Sequence, residues 1–214
     1  MNFPMNSLLE KNKDKIVVVT KNHSLAEIKL LYDQGFRVFG ENRVQELISK
    51  QKNNMPGINW QLIGHLQKNK VKYAVKYCSL IQSVDSLKLL QDINKEAIKQ
   101  NKIMPVLIQV NIAKEETKFG ISVEELDAFL KDADNLNQII IKGLMVIGPH
   151  TKDTVAIKKV FTEGKELFDK YQNFKQANIN FTTLSMGMSE DYPIALECGS
   201  TMLRLGRIMF GITL

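Results

Sequence analysis

The sequence has few of the residues that build metal sites or disulfide frameworks. It contains two cysteines, Cys78 and Cys198, and they form no CxxC pair. The three histidines, His23, His65 and His150, stand apart from one another and from the cysteines. This spacing argues against a structural zinc and against a disulfide scaffold, so we expect no metal in this protein.

Long apolar runs are also missing. A transmembrane helix needs roughly 20 consecutive apolar residues, and no stretch of the sequence provides them. Residues 1–14 contain no apolar core of the kind found in a signal peptide. We therefore expect a cytoplasmic protein with reduced thiols and no membrane association.

The charge is basic but dispersed. The chain has 214 residues, a net charge of +6 and 44% hydrophobic residues, enough for a sizeable core. A basic balance suits either nucleic acid or small molecules that carry phosphate. The densest basic group, Lys68, Lys70, Lys72 and Lys76, is more typical of a solvated helix face than of an RNA-binding surface. Nucleic-acid binding therefore stays as the less favoured alternative.

Short apolar runs alternate with amphipathic stretches along the whole chain. The predicted strands are 15–21, 37–39, 60–63, 79–82, 105–110, 139–145, 181–184 and 202–205. Eight β-α units predict parallel strands with right-handed crossovers, and they favour a closed (β/α)8 TIM barrel over an open, doubly wound sheet. No linker or change in composition interrupts the pattern. We expect a single α/β barrel domain over residues 1–214, with a short N-terminal segment at residues 1–14.

Two helix starts carry capping signals. The helix predicted over residues 86–100 has Ser83 or Asp85 available as its N-cap. Ser122 precedes Glu125 by three residues, an arrangement typical of a capping box.

The carboxyl ends of the strands converge on one face of such a barrel, and Lys21 stands at the carboxyl end of the first predicted strand. A packed, apolar floor beneath a lysine lowers its pKa and favours attack by the neutral amine on a carbonyl. The alternative interpretation is that Lys21 simply ends the strand and points to solvent.

Two glycine- and serine-rich stretches, 185–189 and 199–201, flank the predicted ends of strands seven and eight. Barrels often bind phosphate there. A lysine with a phosphate site suggests pyridoxal 5′-phosphate (PLP) or a Schiff-base aldolase that acts on a sugar phosphate. Arg204 has two interpretations that the sequence leaves open: it faces the pyridine nitrogen of PLP, or it pairs with a buried carboxylate such as Glu41.

Longer motifs give the chain a family likeness from about Ile16 to Gly211. They are Val19-Thr20-Lys21, the stretch 39–46 that begins Phe-Gly-Glu-Asn, the stretch 60–70 that begins Trp-Gln-Leu-Ile-Gly-His, Gln109-Val110-Asn111, Lys118-Phe119-Gly120, Gly143-Leu144-Met145, 184–189 and 199–206. The chain resembles the pyridoxal phosphate homeostasis proteins, the YggS/PROSC family. The resemblance implies a barrel related to the N-terminal domain of alanine racemase.

The resemblance also implies roles for individual residues. Lys21 matches the lysine that holds PLP as an internal aldimine, and Arg204 matches the arginine that faces the pyridine nitrogen. The remaining matches are Ser185, Ser200, Thr201 and Gly206 in the phosphate cup, and Asn42 and Met186 along the cofactor pocket. Arg207 replaces a small hydroxyl residue that is common in the family. It would either add charge to the phosphate site or point outward.

The implied function is PLP binding in vitamin B6 homeostasis, without established catalytic turnover. The alternative is a PLP-dependent, racemase-like enzyme. Racemisation needs a second acid/base group, which a separate C-terminal domain brings in alanine racemase, so we expect no catalytic residues here. The expected partners are PLP and apo forms of PLP-dependent enzymes, and we expect a monomer.

Overall fold

The computed structural model describes residues 6–52, 55–115, 117–174 and 177–211. Eight strands form one sheet in the order β7-β6-β5-β4-β3-β2-β1-β8. The strands are β1 (Ile16–Val19), β2 (Val38–Glu41), β3 (Asn59–Leu62), β4 (Leu80–Val84), β5 (Met104–Val110), β6 (Ile139–Val146), β7 (Ile179–Ser185) and β8 (Leu203–Leu205). Every ladder is parallel. The prediction of eight parallel β-α units is confirmed.

The sheet curls until β7 and β8 meet. An isolated parallel bridge joins Ser185 to Met202. Backbone hydrogen bonds from the Met186 amide to the Met202 carbonyl (3.1 Å) and from the Arg204 amide to the Gly187 carbonyl (3.0 Å) complete the junction. β8 has only three residues, so these few bonds bring the end of β7 beside the start of β8.

One α-helix precedes β1, and the other α-helices lie between the strands, as the periodicity predicts. They are α1 (Ser7–Lys11), α2 (Leu25–Asp33), α3 (Val44–Gln51), α4 (Val71–Tyr77), α5 (Leu87–Lys99), α6 (Leu126–Asp132), α7 (Thr154–Gln172) and α8 (Tyr192–Glu197), with 3-10 helices at Lys13–Lys15, Lys68–Lys70 and Arg207–Phe210. Within the four described ranges, no helix is both long and apolar enough to cross a membrane.

Two predicted helix starts need correction. Ser86 caps α5, because its side chain accepts a hydrogen bond from the Leu89 amide. Neither Ser83 nor Asp85 is the N-cap. The Ser83 hydroxyl donates to the Gly64 carbonyl, and the Asp85 carboxylate pairs with His65. The capping-box bonds between Ser122 and Glu125 are present, but α6 begins only after them, at Leu126.

Side chains of the strands alternate between two cores. Ile16 and Val18 of β1 and the two leucines of β8 belong to the large core between the sheet and the helices. A separate small cluster of Leu80, Leu107 and Met145 fills the interior of the barrel. Arg204 alternates with the leucines of β8 and therefore points into that interior.

The segment before β1 is short but packed. In α1, Leu9 is 1% exposed, and the Asn6 amide donates to the Tyr192 hydroxyl at 2.8 Å. Residues 1–5 of the predicted N-terminal segment lie outside the described residues.

Candidate functional site

Lys21 lies just beyond the carboxyl end of β1 and is exposed. The parallel ladder pairs Val19 with Gly40, and the Thr20 amide continues it by donating to the Gly40 carbonyl at 3.0 Å. On the other side, a Cβ built on Gly206 would lie 3.4 Å from the Cβ of Val19. The strand end that carries Lys21 therefore lies between the ends of β2 and β8.

The turn after Lys21 packs on the segment that follows β8. The His23 ring stacks on the Phe210 ring, with centroids 3.5 Å apart and planes 11° from parallel. Ser24 and Glu27 form a capping box that starts α2. Hydrogen bonds, first from His23 and then from Ser24, lower the pKa of Glu27 to about 2. These contacts bring Lys21 and Gly206 to the same face of the barrel.

Ser189 lies in the same region, and the predicted set of site residues did not include it. Its side chain is 5% exposed, and its hydroxyl accepts a hydrogen bond from the Ile208 amide at 3.4 Å. That amide belongs to the first turn of the 3-10 helix Arg207–Phe210, directly after Gly206. Ser189 ends one of the two glycine- and serine-rich stretches, so the signal was in the sequence.

Arg204 is buried inside the barrel. Its Nη1 donates to the carbonyl (2.9 Å) and the hydroxyl (2.7 Å) of Ser185, and its Nη2 donates to the Val146 carbonyl (2.9 Å). Burial lowers the pKa of Arg204 to about 10, while nearby Asp191 acts in the opposite direction. The alternative pairing with Glu41 is wrong, because Glu41 pairs with Lys50 on the other side of β2.

A chain of hydrogen bonds continues from Arg204 across the barrel interior. The Ser185 hydroxyl donates to the Gln82 side-chain oxygen at 2.7 Å. The Gln82 amide nitrogen then donates to the Gln61 side-chain oxygen at 2.6 Å and approaches the Met202 sulfur at 3.2 Å. All of the donors run in one direction, so the chain fixes the orientation of the guanidinium. Within the described residues, Arg204 Nε takes part in none of these bonds.

The two glutamines were also missing from the predicted site. Gln82 is completely buried and Gln61 is 6% exposed, although each lies in the middle of an apolar strand. A glutamine at such a position has to find hydrogen-bond partners inside the fold. Glutamines within apolar strands therefore indicate a hydrogen-bond network inside the barrel.

Asp191 supports the loop that carries Ser189. Its Oδ1 accepts a hydrogen bond from the Met188 amide at 2.5 Å, and the residue is 6% exposed. Burial raises the pKa of Asp191, against the effects of the Met188 amide and Arg204. Asp191 is thus a buried acid beside both Arg204 and the Ser189 loop.

Three of the predicted side chains are bonded or packed within the fold itself. The Ser200 hydroxyl donates to the Met186 carbonyl at 2.7 Å, and the Thr201 hydroxyl accepts from the Leu184 amide at 2.7 Å. Both residues precede β8, and their hydroxyls are bonded to the main chain around the carboxyl end of β7. Met186 is completely buried in the core between the sheet and the helices. Ser185 lies beneath the site, and its carbonyl and hydroxyl accept hydrogen bonds from Arg204.

Asn42 follows β2 at the level of the Lys21 turn. Its side-chain oxygen is buried and has no hydrogen-bond partner among the described residues. A Cβ on Gly64 would lie 2.3 Å from the Asn42 carbonyl oxygen, so only glycine fits there. A cavity of about 510 Å³ opens beside this pair, with Glu46 and His65 in its wall.

Arg207 points outward. Its guanidinium pairs with Glu190 at 2.8 Å, and its side chain is 52% exposed. Arg207 lies in the wall of a second cavity, of about 690 Å³, near the ends of β6, β7 and β8. Of the two orientations expected for Arg207, the outward one is confirmed. Over the described ranges, no group of three or more His, Cys, Asp or Glu residues is arranged to hold a metal ion.

Sequence comparison finds relatives over nearly the whole chain. The family model for the alanine racemase N-terminal domain matches residues 5–214. The pyridoxal phosphate homeostasis protein of Helicobacter pylori (strain J99) is 40% identical over 200 residues, which cover 92% of this chain and 86% of that protein. The protein of the same name from Aquifex aeolicus is 37% identical over 202 residues, which cover 94% of this chain and 88% of its own.

Solved structures also match nearly the whole chain. PipY of Synechococcus elongatus with PLP bound is 35% identical, has a TM-score of 0.84 and is covered over 92% of each chain. PipY without PLP has a TM-score of 0.87 at 36% identity, again with 92% of each chain covered. Alanine racemase of Clostridium difficile shares the fold, with a TM-score of 0.74 at 19% identity. That match covers 91% of this chain and 51% of the racemase.

Proposed function

The chain belongs to the family of pyridoxal phosphate homeostasis proteins, and we propose that it binds PLP covalently through Lys21. PLP supplies an aldehyde, which a lysine amine can hold as an imine. The Lys21 amine adds to the aldehyde carbon, and condensation releases one molecule of water. In its exposed position beyond β1, this amine is open to a ligand from solvent.

The polar groups around Lys21 fit such a ligand. Arg204 Nε is a donor for the pyridine nitrogen, and the orphaned side-chain oxygen of Asn42 is an acceptor for the ring hydroxyl. Ser189 and the backbone beside Gly206 provide a hydroxyl and N–H groups for the phosphate. We assign the phosphate contact to Ser189 rather than to Ser200 and Thr201, whose hydroxyls are bonded to the main chain.

The observation that carries the proposal is the anchoring of Arg204. A buried guanidinium needs acceptors, and Ser185 and Val146 provide them while Nε stays available. An arginine that remains charged at neutral pH does not give a proton to a pyridine nitrogen, so that nitrogen stays unprotonated. An unprotonated ring is a weak electron sink and stabilises a carbanion poorly. The site therefore suits holding PLP better than turning over amino acids.

Binding is tested by absorbance. We expect the purified chain to give a yellow complex with PLP, and Lys21→Ala to lose the band of lysine-bound PLP. Lys29→Ala is the matched control, since Lys29 is an exposed lysine of α2 that pairs with Asp33. A Lys21→Ala variant that keeps the band at wild-type intensity contradicts the assignment.

Absence of turnover is tested separately. The PLP-loaded chain is incubated with D- and L-amino acids in deuterated water. We expect no exchange of the α-proton at a catalytic rate, because no second acid/base group is assigned. Rapid exchange would instead support the racemase-like alternative.

We further propose that the chain is a cytoplasmic monomer that passes PLP to apo-enzymes and binds no nucleic acid. Sedimentation measures the oligomeric state. Activation of an apo-enzyme by the loaded chain, in the presence of a scavenger of free PLP, tests transfer. Activation no faster than with released PLP contradicts direct transfer.

A further inference from the structure

Lys50 lies in α3, but its ammonium is buried against the strand end that carries Lys21. Its side chain is 9% exposed. Nζ donates to the carbonyl of Thr20 at 2.7 Å and to Oε1 of Glu41, which is completely buried. The Thr20 hydroxyl donates to the same carboxylate oxygen. Thr20, the residue before Lys21, therefore forms two hydrogen bonds with the buried ion pair of Lys50 and Glu41.

Asn22, the residue after Lys21, is connected to the Lys50 ammonium through Glu46. The Asn22 amide donates to Oε2 of Glu46 at 3.1 Å, and Lys50 Nζ lies 3.6 Å from that oxygen. Asn22 has a φ of 63°, a left-handed conformation that an asparagine adopts only at some cost. The contacts of a single ammonium group thus reach the backbone on both sides of Lys21, directly at Thr20 and through Glu46 at Asn22.

Stability alone does not account for this ion pair. Taking two charges out of water is expensive, and well-packed apolar side chains would often be at least as stable. The second oxygen of the Glu41 carboxylate is buried without a partner among the described residues, which adds to the cost. What the pair provides is a fixed geometry for the turn between Thr20 and Asn22.

We propose that Lys50 is a positioning residue for Lys21: paired with Glu41, and through Glu46, it holds the turn so that the Lys21 amine faces the bound aldehyde. This inference rests on the proposed function. It assigns a role to Lys50, Glu41 and Glu46, which act on the backbone beside Lys21 and, among the described contacts, form no hydrogen bond or ion pair with its side chain.

The test removes both buried charges together. Lys50→Met alone would leave an uncompensated carboxylate in the core and endanger the fold, so Glu41→Gln is combined with it. The control is Lys29→Met with Asp33→Asn, an exposed ion pair of α2 that does not touch the turn. Glu46→Ala and Glu46→Gln form a second pair, because only glutamine keeps an oxygen for the Asn22 amide.

Two measurements decide the proposal. In the chain without PLP, hydrogen exchange of the Asn22 amide should speed up about tenfold or more in Glu41→Gln/Lys50→Met and in Glu46→Ala, but not in the control or in Glu46→Gln. On addition of PLP, the band of lysine-bound PLP should form about ten- to a hundredfold more slowly in the same two variants. Glu46→Gln should restore most of the rate, which a merely structural loss would not allow.

The two hypotheses fail in different ways. A wild-type chain that forms no adduct at Lys21 refutes the proposed function, and with it the positioning of a reacting amine. A wild-type chain that reacts while Glu41→Gln/Lys50→Met reacts equally fast refutes the positioning role alone. Unchanged exchange of the Asn22 amide in that variant also refutes it.

Discussion

Replacing Gln82 with methionine should destabilise the protein through the interior of the barrel. Methionine keeps the length of the side chain and fills the same space. It removes the acceptor of the Ser185 hydroxyl and the donor to Gln61, contacts of 2.7 and 2.6 Å. The Ser185 hydroxyl then loses its acceptor, although it still accepts from Arg204, and the Gln61 side-chain oxygen loses its donor.

The magnitude follows from these two lost hydrogen bonds. A buried polar group without a hydrogen bond costs about 1–3 kcal/mol, so we expect Gln82→Met to lose about 4 kcal/mol of unfolding free energy. Adding Gln61→Met removes the side-chain oxygen that lost its donor, so the double variant should lose only about 2 kcal/mol. Such non-additivity is the signature of a connected network.

The assay is urea unfolding followed by far-UV circular dichroism, with the slope of the transition checked for constancy. Gln100→Met is the matched control. Gln100 directly follows α5, and its side-chain amide donates to the Lys72 carbonyl and to Glu96 near the surface. Its replacement should change the free energy of unfolding by less than about 0.5 kcal/mol. A loss below about 1 kcal/mol for Gln82→Met refutes the network, as does a double variant that loses more than Gln82→Met alone.

Three further predictions concern other parts of the molecule. Gly64→Ala should weaken PLP binding and destabilise the chain by about 1–3 kcal/mol, because its Cβ would lie 2.3 Å from the Asn42 carbonyl oxygen; PLP titration and urea unfolding measure both effects, and wild-type values would contradict the close approach. In the native chain, iodoacetamide should label Cys198 and spare Cys78, since Cys78 is 1% exposed and burial raises its pKa to about 12; labelling of both before unfolding would contradict this burial. The pKa of Glu27 is lowered from 4.5 to about 2, so its contribution is complete above pH 4.5 and is lost as the pH falls through about 2. The stability difference between wild type and Glu27→Gln should therefore disappear toward pH 2, and a difference that is independent of pH would contradict the capping role.

The sequence was sufficient to predict the strand count, the parallel order of the units and the position of Lys21. Short β-branched runs such as Ile16–Val19 are strong local signals, and eight of them with intervening helices leave few topologies. The family motifs then pointed to PLP. The residues at the carboxyl ends of the strands can thus largely be identified from local sequence patterns.

The sequence did not predict which side chains meet across the barrel. Ser200 and Thr201 share the motif 199–206 with Arg204, yet their hydroxyls are bonded to main-chain atoms of Met186 and Leu184. The contact between Lys50 and Glu41 depends on how α3 packs back on β2, which no local pattern shows. Such pairings are tertiary, and composition and periodicity carry no information about them.

The most direct test of the central claim is to locate the bound PLP. The wild-type chain is loaded with PLP, reduced with borohydride and digested, and mass spectrometry identifies the modified lysine. The account predicts a single major adduct, on the peptide that contains Lys21. An adduct mainly on another lysine, or no adduct at all, would contradict it.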